Sequence, residues 1–144
     1  MSGLETDQKS ANDNCYVETT RSITVMVEPQ FLAEQSVPDE NHFVWAYHVR
    51  IENNGPDTVQ LLTRYWRIMD SHGGVQEVRG DGVVGEQPVL KPGEAYEYTS
   101  GTPLGTPTGI MSGSYQMQNT RGDLFEAVVP AFSLDSPHHA ASIH

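Results

Sequence analysis

The sequence predicts an all-β protein, a β-sandwich of immunoglobulin-like or fibronectin type III-like form with about seven or eight strands in two antiparallel sheets. Three observations carry that prediction. Apolar residues recur at every second position in several short runs, which is the spacing of a strand with one buried face. Turn chemistry built from Gly, Pro, Asn and Asp separates these runs. No stretch of ten or more residues shows the three-to-four-residue apolar spacing of an amphipathic helix.

Taken in order, residues 1–15 lack periodicity and are expected to form a mobile tail, followed by one domain over 16–134 and a loose tail over 135–144. From Tyr16 to Val27, Ile23, Val25 and Val27 alternate with Ser22 and Thr24 as a single strand. A polar loop holding Pro29 and Pro38 follows. The run HFVWAYHVRIEN places Phe43, Trp45, Tyr47, Val49 and Ile51 on one side of a strand, with His48 and Arg50 on the other. Asn53, Asn54, Gly55 and Pro56 then make a turn.

VQLLTRYWRIMD is the next strand, with Leu62, Trp66 and Ile68 as its more apolar face, although Arg64 falls on that face too. SHGG turns the chain into VQEVR. GDGVVGEQPVLKPGE is the longest irregular stretch inside the domain. Tyr96 and Tyr98 share a face of the following strand. Met111, Gly113, Tyr115 and Met117 then face one way and Ser112, Ser114, Gln116 and Gln118 the other. After the turn NTRGD, LFEAVVPAFSL is the last strand, and Pro130 within it marks an edge or a bulge. Trp66 in mid-strand matches the buried tryptophan of many sandwiches, and Tyr115 in SGSY resembles a tyrosine corner.

Composition narrows the function classes. At 144 residues the chain is of the size that folds around one core. Net charge is −11, and its eight Lys and Arg residues are scattered singly. Phosphate backbones and anionic lipid surfaces call for clustered cations, so neither nucleic acid nor a membrane is expected as a partner. The start MSGLETDQKSANDN is polar and acidic, unlike a signal peptide, and no apolar run reaches the length of a membrane span. With one cysteine, Cys15, no intrachain disulfide forms, and a cytoplasmic location is expected.

Two features carry candidate binding chemistry. GDGVVG, Gly80 to Gly85, has the GxGxxG spacing, which in a Rossmann unit passes a strand into a helix whose N-terminus holds pyrophosphate. Gln87, Pro88 and LKPGE leave no helix here, so glycines serving a tight loop are the favoured reading. Such a loop can still present N–H groups to a small anion, with Arg64 and Arg79 assisting. Gly80, Gly82, Gly85, Gln87, Arg64 and Arg79 are therefore the candidate ligand- or partner-binding residues.

The second feature is His138, His139 and His144, a weak metal-ligand set whose spacing matches no established site. His42, His48 and His72 are isolated and read as solvated. Among the carboxylates, Glu94 and Glu97 flank a strand start and need only solvation. Catalytic residues are expected to be none, since the chain has no GxSxG, no HExxH and no spaced Cys and His set. No cofactor is expected, with a divalent cation or phosphate as the exception.

HFVWAYHVRIENNG, VQLLTRYWRIMD, VRGDGVVGEQPVLKPGEAYEYTSG and GSYQM, in this order and spacing, resemble the bacterial ApaG family over about residues 17–134. The family pattern falls on Arg64, Tyr65, Trp66, Gly80, Gly82, Gly85, Gln87, Pro88, Pro92, Gly93, Tyr98, Thr99, Ser100 and Gly101. The resemblance implies a fibronectin type III-like sandwich. It also implies an association with Co²⁺ resistance and Mg²⁺/Co²⁺ efflux without a catalytic role. Similar domains in eukaryotic F-box and DNA-polymerase-interacting proteins look like protein-binding modules, which the resemblance extends to this chain as an expectation.

The expected function is accordingly a non-enzymatic interaction module acting through a protein partner. The alternative is a binder of metal, phosphate or nucleotide at the GDGVVG loop. Exposed sheet edges also allow a homodimer by strand pairing.

Overall fold

The computed structural model describes residues 15–138 and builds nine strands into two antiparallel sheets. The strands are β1 (Tyr16–Thr20), β2 (Ile23–Phe31), β3 (Phe43–Asn53), β4 (Val59–Asp70), β5 (Val75–Asp81), β6 (Val89–Leu90), β7 (Ala95–Leu104), β8 (Thr108–Asn119) and β9 (Leu124–Asp135). One sheet runs β1-β2-β3-β7. The other runs β5-β4-β8-β9, with β6 pairing the start of β4 beyond the end of β5. Two 3-10 turns, Ala33–Gln35 and Pro38–Glu40, cross between β2 and β3.

Alternation decides which side chains meet between the sheets. β3 buries every second residue from Phe43 to Ile51, and these pack against Trp66 and Ile68 of β4, Met111, Tyr115 and Met117 of β8, and Phe132 and Leu134 of β9. The expected faces of β3 and β8 are therefore observed. Trp66 is buried, with its ring edge-on to Tyr47 at 5.3 Å, Tyr115 at 6.1 Å and Phe132 at 6.3 Å.

Several expectations need correction. The run from Tyr16 to Val27 is two strands, because Arg21 and Ser22 both take positive φ, 49° and 69°, and fold the chain into a two-residue hairpin. No glycine or asparagine marks that turn, so the usual signal is missing. Pro29 lies inside β2 rather than in a loop. The bond from Leu32 N–H to Val44 O sets the phase of the β2–β3 ladder, and alternation then points the Pro29 nitrogen away from β3. On that side, among the described residues, β1 pairs from Tyr16 to Thr20, opposite Val27 to Ile23, so the missing N–H leaves no gap in that ladder.

In β4 the register against β8 slips between Leu61 and Thr63. Val59 and Leu61 are buried before this bulge and Trp66 and Ile68 after it, so Leu62 does not join the core face. Tyr115 is not a tyrosine corner. It sits within β8, and its hydroxyl bonds the side chain of Tyr98 rather than the backbone. Pro130 does mark a bulge, where the β8–β9 register slips near Gly113, and β9 is also an edge strand.

The GDGVVG segment is a hairpin with no helix behind it. Val83 and Glu86 exchange backbone bonds of 2.8 and 2.9 Å around Val84 and Gly85, both at positive φ, and Val83 is fully buried. At Gly82, φ is +65° and a β-carbon would collide with the Glu86 carbonyl oxygen. At Gly85, φ is +82° but nothing lies within 4 Å. Gly82→Ala should therefore cost at least about 3 kcal/mol, whereas Gly85→Ala should cost about 1–2 kcal/mol, the strain of the left-handed backbone alone. Urea unfolding of the two variants beside the unsubstituted protein measures both.

Candidate functional site

The outward faces of β5, β4, β8 and β9 form one surface whose rows follow from the strand registers. Val75, Met69, Ile110 and Ser133 stand side by side at one end. Arg79, Tyr65, Ser114 and Val128 cross the middle, and Asp81, Thr63, Gln116 and Glu126 form the next row. Val89, Gln60, Gln118 and Leu124 close the far end. Eight large apolar side chains are exposed among the described residues. Five of them, Val75, Val89, Ile110, Leu124 and Val128, belong to this face, the others being Val17, Val37 and Val84.

A shallow concavity of about 400 Å³ lies in its centre, lined by Thr63, Tyr65, Arg79, Asp81, Gln116 and Glu126 among others. The Arg79 guanidinium lies 4.4 Å above the Tyr65 ring, a cation–π stack that holds both side chains flat on the sheet. Tyr65 donates its hydroxyl proton to Glu77 at 2.6 Å, and that bond raises the tyrosine pKa. Ser114 donates to Glu126 at 3.1 Å. Of these residues only Arg79 is among the sequence candidates. Tyr65, Glu77, Ser114, Gln116 and Glu126 become neighbours through pairing across four strands.

The sequence candidates divide into two groups. Arg64 shares the inward phase of Trp66 and sits opposite Gly80 in the register. Its guanidinium lies over Gly80 so closely that a β-carbon there would be 2.8–2.9 Å from it. Nη1 donates to the carbonyls of Asp81 and Gly82, both at 3.0 Å. The arginine therefore ties down the strand that leads into the glycine hairpin, while Arg79 stands on the opposite face.

Within the hairpin, Gly82 N–H donates to Leu62 O, and the Val83 and Glu86 amides are used across the turn. Gln87 Nε2 donates to Leu62 O at 2.9 Å. Among the described residues nothing accepts from Val84 and Gly85 N–H.

A buried hydroxyl pair lies close to Arg64. Tyr98 and Tyr115 share a hydrogen bond of 2.5 Å between the sheets. Burial pushes both phenols well above their ordinary pKa, and the Arg64 charge opposes this as a smaller effect. On the outer face of the other sheet, Glu97 accepts from His48 Nε2 at 2.7 Å and from Arg50 at 2.5 Å, and His48 Nδ1 meets Thr99 Oγ1 at 2.8 Å. These bonds, that from His48 first, hold the Glu97 carboxyl below the usual range. His48 and Glu97 are thus partners rather than separately solvated groups.

The ring of His138 lies against Phe31 and Phe43, at 5.9 and 6.0 Å between centroids. His139 and His144 fall outside the described residues, as do residues 1–14 of the expected N-terminal tail. Among the described residues no group of three or more His, Cys, Asp or Glu side chains is placed to hold a metal ion, and no helix is long and apolar enough to cross a membrane.

Residues 33–119, from the 3-10 turns through β8, match the family model described as the ApaG domain. The chain belongs to the ApaG family. It is 68% identical over 123 residues to Protein ApaG of Rhodospirillum centenum, covering 85% of this chain and 95% of that protein. To Protein ApaG of Parvibaculum lavamentivorans it is 60% identical over 129 residues, or 90% and 99% of the two chains. A crystal structure of an ApaA protein from Bordetella pertussis superposes with a TM-score of 0.78 at 49% identity, covering 80% and 94%. The ApaG match spans β3 to β8 and so includes the Arg64–Gly80 contact, the glycine hairpin, Tyr65 and Arg79.

The Tyr98–Tyr115 pair and Glu97 each give a pH dependence of defined sign. Unfolded tyrosines lose protons near pH ~10 while Tyr98 and Tyr115 keep theirs. The stability this pair contributes is full below that value and falls as pH rises through the raised folded pKa. Tyr98→Phe should cost about 1–2 kcal/mol at neutral pH and flatten the alkaline decline in urea midpoints. For Glu97 the sign reverses. Its contribution is present above the ordinary carboxyl pKa and disappears as pH falls through the depressed one. Carbon-13 titration should place Glu97 below the other exposed glutamates, and His48→Ala should raise it.

Proposed function

We propose that this ApaG-family protein is a non-catalytic cytoplasmic binding module that works through a protein partner held on the outer face of the β5-β4-β8-β9 sheet. One observation carries this reading. That face carries five of the eight exposed large apolar side chains of the described residues, at its two ends and along β9, with the Arg79–Tyr65 stack between them. Monomer surfaces scatter exposed apolar groups evenly, and their concentration on one face favours a recognition surface there. Tyr and Arg are also the residue types that most often carry binding energy, because a large rigid ring and a planar cation lose little entropy when held.

The concavity beneath the stack is open and shallow, which suits the side chains of a partner. An influence on Co²⁺ tolerance or Mg²⁺/Co²⁺ efflux would then be exerted through the partner. A second reading, a small anion on the glycine hairpin, is favoured by the unpartnered Val84 and Gly85 amides, which leave two donors on the turn.

Affinity capture by the tagged protein from a bacterial lysate, followed by mass spectrometry, tests the first reading. Tyr65→Ala with Arg79→Ala should each weaken recovery of a stoichiometric partner by about 2 kcal/mol, or ~30-fold, and Ile110→Asp should abolish it without lowering the unfolding midpoint. Titration calorimetry against Co²⁺, Mg²⁺, pyrophosphate and ATP should show no saturable heat. Saturable heat from any of them, combined with capture unaffected by the three substitutions, would replace the protein partner with a small ligand.

A further inference from the structure

The two sides of the sandwich are finished differently. On one side β1 lies against β9 and its side chains serve the β9 backbone, since Val128 N–H donates to Thr20 Oγ1 at 3.2 Å and Ser133 N–H to the Tyr16 hydroxyl at 3.4 Å. The bulge at Pro130 interrupts the same edge. On the other side lie the edges of β5 and β7. β5 is seven residues long and carries Glu77, Arg79 and Asp81 along its outward face, the charged guard common on edge strands.

β7 has no charged guard of this kind along its length, and its one proline, Pro103, stands next to its end. It runs ten residues, and its pairing with β3 from Ala95 to Leu104 is continuous, with no bulge. Its one charged side chain, Glu97, is already bonded to His48 and Arg50.

The phase of its free hydrogen-bonding groups follows from one contact. Asn53 N–H donates to Glu94 O at 2.9 Å, so the β3–β7 ladder is bonded at that pair. Alternation then turns the backbone of Tyr96, Tyr98, Ser100 and Thr102 toward β3 and that of Glu97, Thr99 and Gly101 away from it. The last three residues are exposed. Among the described residues nothing pairs with their N–H and C=O groups, which make a template for one more strand. Gly101 and its neighbour Ala46 leave the outer face beside that template low, so a large side chain of an added strand can lie across it.

We infer that the β7 edge takes up, as a fifth strand of the β1-β2-β3-β7 sheet, an extended neutral or basic segment of a partner protein. The inference rests on the reading of this protein as a protein-binding module and adds a second point of contact, on the edge of the other sheet. Backbone pairing gives such strand addition its affinity, and alternate side chains give it specificity. Charge selects the occupant. A second copy would bring a net charge of −11 against −11, whereas a basic segment is drawn in by the same field.

The test is selection of phage-displayed random peptides on the full chain, followed by amide exchange measured by NMR with the synthetic peptides that emerge. Neutral or basic peptides should emerge that protect the Glu97, Thr99 and Gly101 amides. Thr99→Pro deletes a donor on the free edge without touching the ladder to β3, and Thr99→Lys leaves the backbone intact. Each should weaken peptide binding about tenfold, and the lysine variant should unfold as cooperatively as the unsubstituted protein, losing only the exposed bond from Thr99 to His48.

Binding that survives Thr99→Lys, or a selection that enriches nothing, would overturn the inference. So would concentration-dependent protection of these amides in the protein alone, which would make a second copy the occupant. Peptides that instead perturb Tyr65 and Ser114 would also overturn it while leaving the binding-module reading standing. That reading fails separately, if the Tyr65, Arg79 and Ile110 variants leave partner capture unchanged.

Discussion

Every other feature of the molecule depends on Trp66 lying edge-on between Tyr47 of one sheet and Tyr115 and Phe132 of the other. A tryptophan of this burial removes some 150–250 Å² of surface from water, about 4–6 kcal/mol of transfer free energy as an upper estimate. The ring also sets how close the strands come. Gly113 sits directly opposite Trp66 in the β4–β8 register, and a β-carbon there would meet both the indole ring and the Tyr65 carbonyl. The position admits no side chain, which lets the indole settle over the β8 backbone with Tyr115 and Met111 on either side.

With the indole in place, the bulge at Leu61 to Thr63 decides which side chains reach the candidate face. A strand that kept a single phase from Val59 onward would bury Tyr65 and expose Trp66. The extra residue lets β4 bury Val59 and Leu61 at its start and Trp66 and Ile68 at its end. The same slip sends Tyr65 outward to meet Arg79 and sends Arg64 inward over Gly80. Two arginines fifteen positions apart in the chain thus end on opposite faces of one strand pair. One ties down the glycine hairpin, and the other forms part of the candidate recognition surface.

Among the described residues the sandwich is sealed where β1 meets β9. There hydroxyls from β1 accept hydrogen bonds from the β9 backbone, so the edge is satisfied without a further strand. The open side carries the free edge of β7, the charged edge of β5, and between the sheets the Tyr98–Tyr115 pair beside Arg64. A buried hydroxyl pair of this kind is stable because each oxygen finds its partner in the other, which spares either one the cost of an unmet polar group.

The period-two runs of β3 and β8 were readable from the sequence because each strand packs one whole face into the core, so hydrophobicity alone reports orientation. The glycine segment was readable as a loop for a similar local reason, since prolines and glycines forbid a helix within a few residues. Arg21 and Ser22 turn without turn chemistry, Pro29 is tolerated by where β1 stops pairing, and Leu62 is displaced by a bulge, so none of these carried a local signal. The candidate recognition surface was still less visible. Its members, from Val75 on β5 through Tyr65 and Ser114 to Val128 on β9, are each unremarkable outward positions in separate strands. Side-chain alternation is encoded within each segment, and so the sequence by itself determined an all-β sandwich and most of its core. Which strands lie side by side, and in what register, depends on contacts between distant segments, and only the tertiary structure decided what those outward residues form together.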